Sequence, residues 1–214
     1  MEQHPTHRGM ENKLMVAIDA INTLDVSCYD YCDGEISLNI SGGIPNITQN
    51  GTITYTTQWN DTLLQTSATA VGLCVNNNSN STIYTCVVND AQGCYDTISY
   101  SLSQPEELVV STTLVDPVDC FGANTGKIKA DATGGNTPPP YSYQWSNGVN
   151  TPTNYNIISG NYVVVVTDAK GCTDTAEILL EEQTVLSVTI SETDVSCYGY
   201  DDGEITDIAN GSTP

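Results

Sequence analysis

Cysteine and histidine are the residue types of this chain that most often do chemistry, and it contains eight and two of them. Both histidines, His4 and His7, lie near the amino terminus. The other basic side chains are few, namely Arg8, Lys13, Lys127, Lys129 and Lys170. Catalytic triads, Cys–His pairs and His-ligated metals are therefore excluded from most of the chain. The chain also lacks a Cys-x-x-Cys pair, the spacing that would favour a zinc site. We therefore predict that the protein is not an enzyme.

Aspartates in turns are the second set of chemically interesting side chains. Ca²⁺ takes about six to eight oxygen ligands, and acidic turns are found at Asp33, Asp90, Asp168 and Asp202. Asp next to Gly or Ala also forms turns without any metal. Thr125 replaces the aspartate in one of the related turns. We therefore expect no cofactor, and calcium remains the open alternative.

The charge balance excludes two classes of partner. The chain has 5 Lys and Arg against 26 Asp and Glu, for a formal net charge of −21. Binding to nucleic acid or to an anionic membrane surface needs clustered basic side chains. No apolar run approaches the roughly 20 residues of a membrane-spanning helix. We expect no nucleic acid partner and no membrane insertion.

These side chains belong to a pattern that repeats along the chain. One motif, in which Cys is followed by five residues, Gly, one residue and Ile, recurs at Cys28–Ile36, Cys120–Ile128 and Cys197–Ile205. A second block, Tyr followed by nine residues and Cys, recurs at Tyr84–Cys94 and Tyr162–Cys172. Recurrence at this spacing indicates tandem structural repeats.

Each repeat has the pattern of a β-sandwich. Ile36–Ile40 and Ile128–Ala132 alternate with period two, and the segments are short and punctuated by Gly, Pro and Asn. One tryptophan per full repeat, Trp59 or Trp145, is expected in the core. We predict an all-β chain of tandem Ig-like sandwiches, with these parts: a tail at 1–13, repeat 1 with insertions at 14–103, repeat 2 at 104–182, and at 183–214 the start of a third repeat that is truncated or completed by another chain.

The second repeat also resembles a known family. Its segments Cys120-Phe-Gly-Ala-Asn-Thr-Gly126, Tyr141-Ser-Tyr-Gln-Trp145 and Gly160–Cys172 resemble the SprB-type repeat. Such repeats are strung along gliding-motility adhesins and other giant surface proteins of Bacteroidota. The resemblance covers roughly residues 14–214. It implies a secreted, surface-attached protein and supplies no catalytic residues.

The cysteines are expected to be oxidised, as in other extracellular proteins. Cys28 and Cys94 bracket the first repeat and Cys120 and Cys172 bracket the second, so we predict one disulfide within each pair. Cys74 and Cys86 would brace an insertion of the first repeat. The alternative is that all eight cysteines are reduced, small core residues. Cys32 and Cys197 have no obvious partner within the chain.

Two kinds of glycan acceptor are present. N-glycosylation sequons occur at Asn39, Asn46, Asn50, Asn60, Asn77 and Asn80. An Asp-Thr-apolar triplet resembling the O-glycosylation signal of Bacteroidota places acceptors at Thr62, Thr97 and Thr175.

The sequence as a whole favours a mechanical function. We expect an extracellular or cell-surface segment that acts as a spacer, adhesin or filament module and associates with itself. The apolar residues of the third repeat are candidates for pairing with another chain: Val188, Ile190, Val195, Ile205 and Ile208. The alternatives are a bacteriophage fibre protein and a carbohydrate- or surface-binding module. The latter needs exposed aromatic side chains, for which Tyr29, Tyr31, Tyr198 and Tyr200 are the candidates.

Overall fold

The computed structural model describes residues 13–18, 22–76, 79–136 and 140–211, and every regular element in these ranges is a β-strand. The predicted all-β fold is confirmed. The chain divides into two compact units, the first made of Met1–Glu107 with Gly134–Asn136 and the second of Leu108–Thr133 with Thr137–Pro214. The residue bounds predicted for the three repeats remain predictions, and both histidines and most of the tail lie outside the described residues.

The first unit contains two three-stranded sheets and a small hairpin. Its strands are β1 (Met15–Ile18), β2 (Gly34–Ser41), β3 (Asn46–Ile47), β4 (Ile53–Thr54), β5 (Thr56–Trp59), β6 (Thr69–Leu73), β7 (Ser81–Asn89) and β8 (Tyr95–Ser103). One sheet has the order β1-β2-β6 and the other β5-β7-β8, and every strand pair is antiparallel. In the hairpin β3–β4, Asn46 pairs with Thr54 and Ile47 with Ile53.

The second unit repeats this arrangement. Its strands are β9 (Glu106–Asp116), β10 (Gly126–Gly135), β11 (Ser142–Trp145), β12 (Thr153–Ile157), β13 (Gly160–Thr167) and β14 (Thr173–Leu180), followed by β15 (Ser187–Thr193) and β16 (Glu204–Asn210). The sheets have the orders β9-β10-β12 and β11-β13-β14. In both units the layers match the A-B-E and C-F-G sheets of an immunoglobulin domain, so the predicted Ig-like sandwich is confirmed.

Each unit has its own core, built from residues that alternate along the strands. In the second unit Ile128, Val164 and Val166 are fully buried, because successive side chains of a strand point to opposite faces of the sheet. Trp59 and Trp145 are each 1% exposed and lie at the centre of their cores. The prediction that these tryptophans belong to the core is therefore confirmed.

The glycine of the repeated motif is required by close packing. A Cβ atom on Gly126 would lie 2.5 Å from Cδ2 of Leu180 and 2.8 Å from the carbonyl oxygen of Ile157. In the first unit a Cβ atom on Gly34 would lie 2.6 Å from Cδ2 of Leu102. The glycine thus lets the first residue of β2 or β10 pass against the last strand of its unit.

No sheet among the described residues covers the hairpin β15–β16. Its strands pair from Ser187↔Asn210 to Thr193↔Glu204, and all their residues are exposed. Ile205 is 78% exposed, whereas Ile36 and Ile128, which hold the same place in the repeated motif, are 0% exposed. Val188, Ile190 and Ile205 therefore share one face of the hairpin with Glu192 and Asp207, and this face is exposed.

Candidate functional site

The cysteines of the repeated motifs lie at the ends of the sandwiches, which we call the upper and lower poles. The upper pole of the first unit is the turn between β7 and β8. There Asp90 accepts hydrogen bonds through Oδ1 from the backbone N–H groups of Gln92 and Cys94, both at 2.9 Å. Its Oδ2 accepts another at 3.0 Å from the N–H of Ile44, just beyond the end of β2. Cys94, directly before β8, is exposed at this pole.

The lower pole of the first unit is the turn that leads into β2. The backbone N–H of Tyr31 donates to the carbonyl of Cys28 at 3.1 Å, which closes the turn. Two residues earlier, the N–H of Val26 donates at 3.0 Å to the carbonyl of Ser103, the last residue of β8. Cys28 therefore lies beside the end of β8, and Cys94 precedes its beginning.

The second unit has the same two poles. Asp168 accepts hydrogen bonds from the N–H groups of Lys170 at 2.8 Å and Cys172 at 3.0 Å, which places Cys172 at the upper pole directly before β14. At the lower pole the N–H of Gly122 donates at 2.7 Å to Oε2 of Glu182, beyond the end of β14. Cys120 belongs to this lower turn and is exposed.

This arrangement contradicts the predicted disulfides Cys28–Cys94 and Cys120–Cys172. The nine residues of β8 extend over roughly 30 Å, and a disulfide requires Cα atoms within ~7 Å of each other. In the structure Cys94 and Cys120 are free, whereas Cys28 and Cys172 are disulfide-bonded. The two cysteines of a repeat are therefore separated by the length of the sandwich.

The predicted disulfide between Cys74 and Cys86 is also wrong. Cys74 is bonded to Cys32, for which no partner was expected. Cys32 and Cys74 are neighbours because Gly34 of β2, two residues after Cys32, pairs with Leu73 of β6, the residue before Cys74. Cys86 is instead fully buried and free, opposite Trp59 in the core, and burial raises the pKa of its thiol.

The aspartates considered for calcium serve as hydrogen-bond acceptors for the backbone. Asp33 accepts the N–H of Ser27 and Asp202 that of Ser196, both at 2.9 Å. Thr125 takes the same part in the second unit, because its hydroxyl oxygen accepts the N–H of Asp119 at 3.0 Å. A threonine can replace the aspartate since the position needs only an acceptor. Within the described ranges no three His, Cys, Asp or Glu side chains are grouped so that they could hold a metal ion.

Asp90 has several backbone donors around its carboxyl group. The N–H of Ile44 holds the pKa of this carboxyl below its usual range, with smaller help from the N–H groups of Cys94, Gln92 and Gly93, and partial burial opposes the shift. Asp90 and Asp168 therefore fix the two upper turns, each of which presents a cysteine.

A comparison with known families bears on this geometry. Residues 112–150 match the family model of the SprB repeat. The resemblance to that repeat is confirmed. The matched stretch runs from β9 to beyond β11 and includes Cys120, the close-packed Gly126 and the core residue Trp145. No curated protein matches the chain significantly.

Several solved structures are similar to the chain at low sequence identity. The three N-terminal domains of the highly immunogenic outer capsid protein (Hoc) of bacteriophage RB49 are 15% identical, with a TM-score of 0.42, and the match covers 94% of this chain and 71% of that one. The amphioxus IgVJ-C2 molecule is 18% identical, with a TM-score of 0.28 and coverages of 79% and 97%. The eight N-terminal Ig domains of Down syndrome cell adhesion molecule isoform 1.30.30 are 15% identical, with a TM-score of 0.29 and coverages of 82% and 28%.

The aspartates of two O-glycosylation triplets also accept hydrogen bonds from the backbone. Asp96 and Asp174 each accept a backbone N–H from the first strand of their unit, from Val16 at 3.2 Å and from Val110 at 2.8 Å. The threonine after each aspartate faces solvent, and the predicted acceptors are all exposed: Thr62, Thr97 and Thr175. Their glycosylation remains a prediction.

The sequons lie mainly on exposed backbone of the first unit. Exposed positions are Asn39, Asn50, Asn60 and Asn80, while Asn46 is half-buried and Asn77 lies outside the described residues. Asn60 is already engaged, because its Oδ1 accepts the N–H of Thr85 at 2.8 Å. N-glycosylation therefore also remains a prediction.

The aromatic side chains differ in their exposure. Both tryptophans donate their indole N–H to a carbonyl of their own unit, Trp59 to Ser67 at 2.9 Å and Trp145 to Thr151 at 3.0 Å. Tyr31, Tyr198 and Tyr200 are exposed and Tyr29 is half-buried.

No helix of the described residues is long and apolar enough to cross a membrane.

Proposed function

We propose that this chain is a repeat segment of a secreted bacterial cell-surface protein or extracellular filament, where it acts as a spacer and assembly module. The observation that carries the proposal is the recurrence of one sandwich with its own core, described twice, in a chain that matches the SprB repeat. Modules with separate cores add length to a chain without depending on a common interior.

The charge of the chain suits this function. With a net charge of −21, neighbouring segments repel each other, which opposes non-specific association. Association then has to use defined surfaces that overcome the repulsion. An extracellular location fits the oxidised Cys32–Cys74 pair, since disulfides persist in oxidising compartments.

The surface that we assign to assembly is the inner face of the hairpin β15–β16. Ile190 and Asp207 stand opposite each other, as do Ile205 and Glu192, so that these side chains share a face with Val188. The isoleucines are more than 60% exposed there, whereas the same face of β2 and β10 is covered. The layers β5-β7-β8 and β11-β13-β14 already pack in the core of their own unit, so the occupant that we assign is the same face of the hairpin in a second copy of this chain.

Sedimentation velocity of the intact chain in a reducing buffer tests this assignment. Ile205→Lys places a charge on the inner face, and Thr206→Lys adds the same charge to the neighbouring outer position. We expect the unchanged chain and T206K to associate with rising concentration and I205K to remain monomeric. Equal association of I205K and T206K, or a monomeric unchanged chain at all concentrations, would contradict the assembly function.

A further inference from the structure

We propose that the pole cysteines are the linking sites of the repeats: the upper-pole thiol of Cys94 forms a disulfide with a lower-pole thiol of a second copy of this chain. Cys120 is the lower-pole cysteine of the second unit, and Cys197 holds the same place in the third motif. The inference rests on the proposed assembly function and adds a covalent bond to it.

The first argument is the lack of a partner within reach in the same repeat. Cys94 and Cys28 lie at opposite ends of β8, and Cys172 and Cys120 at opposite ends of β14. The free pole cysteines of the two sandwiches, Cys94 and Cys120, are exposed, as is Cys197. Their sulfur atoms are therefore accessible to another molecule and inaccessible to the other cysteine of their own sandwich.

The second argument is the oxidation state of the equivalent cysteines. Cys28 is the lower-pole counterpart of Cys120, and Cys172 is the upper-pole counterpart of Cys94. Both counterparts are disulfide-bonded, although neither uses the cysteine at the other pole of its own unit. A cysteine at either pole can thus be oxidised without a bond to the cysteine at the other pole of its own unit.

The third argument is that the backbone presents these cysteines in the same way in every copy. The carbonyls of Cys28, Cys120 and Cys197 each accept an N–H from three residues later, at 3.1, 3.0 and 3.1 Å. The carbonyls of Cys94 and Cys172 each accept the N–H of the aspartate four residues earlier, both at 2.9 Å. Each cysteine is therefore held on a hydrogen-bonded turn at the tip of its sandwich.

The bond needs an oxidant, for which oxidised glutathione serves as the probe. The thiolate of Cys94 attacks the glutathione disulfide, which gives a mixed disulfide and releases one glutathione. The thiolate of a lower-pole cysteine on another copy then displaces the second glutathione. The two protein thiols lose two protons and two electrons, and one oxidised glutathione becomes two reduced ones.

The experiment incubates the intact chain in a buffer of oxidised and reduced glutathione, followed by a non-reducing gel and mass spectrometry of the cross-linked peptides. We expect a ladder of covalent multimers in which Cys94 is joined to Cys120 or Cys197. C94S abolishes the ladder, whereas C86S, which removes the buried free thiol, leaves it unchanged. A mixture of C94S with the C120S/C197S double variant gives dimers and trimers but no longer ladder, because C94S retains the two lower-pole thiols Cys120 and Cys197 and the double variant retains only the upper-pole thiol Cys94.

Three results would overturn the inference. These are a bond from Cys94 to Cys28 or from Cys120 to Cys172 within one chain, a ladder that persists in C94S, and a chain that remains monomeric in the non-reducing gel. Sedimentation of C94S under reducing conditions separates this test from that of the proposed function. Association without reducible links would refute the disulfide and leave the non-covalent assembly intact.

Discussion

Removing the disulfide between Cys32 and Cys74 should weaken the first unit by a predictable amount. The bond closes a loop with a sequence separation of 42. In the chain-entropy model a loop of this size restricts the unfolded chain by about 4 kcal/mol at 25 °C. Domains are commonly stable by only ~5–15 kcal/mol. The double variant C32S/C74S should therefore lose a large part of the free energy of unfolding of its first unit.

The two tryptophans make the effect measurable one unit at a time. In a W145F background Trp59 is the sole tryptophan and reports on the first unit, and in a W59F background Trp145 reports on the second. We expect fluorescence-detected guanidinium unfolding to show a loss of about 4 kcal/mol in the first unit. The melting temperature of that unit should fall by on the order of 20 °C.

The second unit serves as the internal control. It contains neither cysteine of this bond, so its transition should be the same with and without C32S/C74S. A loss below about 1 kcal/mol in the first unit would refute the entropic reasoning. An equal loss in both units would refute the independence of their cores.

Two substitutions and one mass measurement test other features of the protein. Gly126→Ala should destabilise the second unit by about 1–3 kcal/mol, because the new methyl group overlaps Leu180, and unchanged thermal unfolding would contradict this close packing. Asp90→Asn should cost stability at neutral pH and progressively less as the pH falls from 5 towards 2. The folded pKa of Asp90 is depressed, so its stabilisation is present above the unfolded pKa near 4 and is lost below it; a pH-independent difference in melting temperature would contradict this. If the threonine signals are used, the intact mass of native material measured by mass spectrometry should exceed the mass of the polypeptide. A bare polypeptide mass would exclude glycans at Thr62, Thr97 and Thr175.

The sandwiches and their cores could be predicted because period-two alternation is a local signal. The segment Ile128–Ala132 was expected to alternate with period two, and its residues Ile128 and Ala130 are buried. The tryptophan of each repeat was expected inside for the same reason. These predictions need only the direction in which a strand's side chains point, which the sequence contains.

The disulfides could not be predicted because they depend on which ends of the strands come together. Cys28 precedes β2 and Cys94 precedes β8, and these strands run in opposite directions, so the two cysteines lie at opposite poles. Two cysteines that bracket a repeat in the sequence are therefore not close together in space. Cys32 and Cys74 become neighbours only through the pairing of β2 with β6, which the spacing of the cysteines does not reveal.

The aspartate turns show a different limit of sequence reasoning. An acidic turn has the same composition whether its carboxylate binds a cation or accepts backbone N–H groups. The substitution of Thr125 for the aspartate was the available signal, because a hydroxyl can replace one acceptor oxygen but cannot supply a carboxylate's charge. The structure shows that this signal pointed to the hydrogen-bonding role.

The recurrence of the cysteines separates those that stabilise a unit from those that we assign to linking. Cys32 and Cys74 have no counterparts in the second unit, where Asn124 and Ile158 stand in their places. A bond that stabilises one unit is needed only where insertions lengthen the loops, since longer loops raise the entropy that folding must overcome. A bond that joins one repeat to another is needed in every copy. The lower-pole cysteine recurs in all three motifs and the upper-pole cysteine in both turn blocks, as a linking function requires.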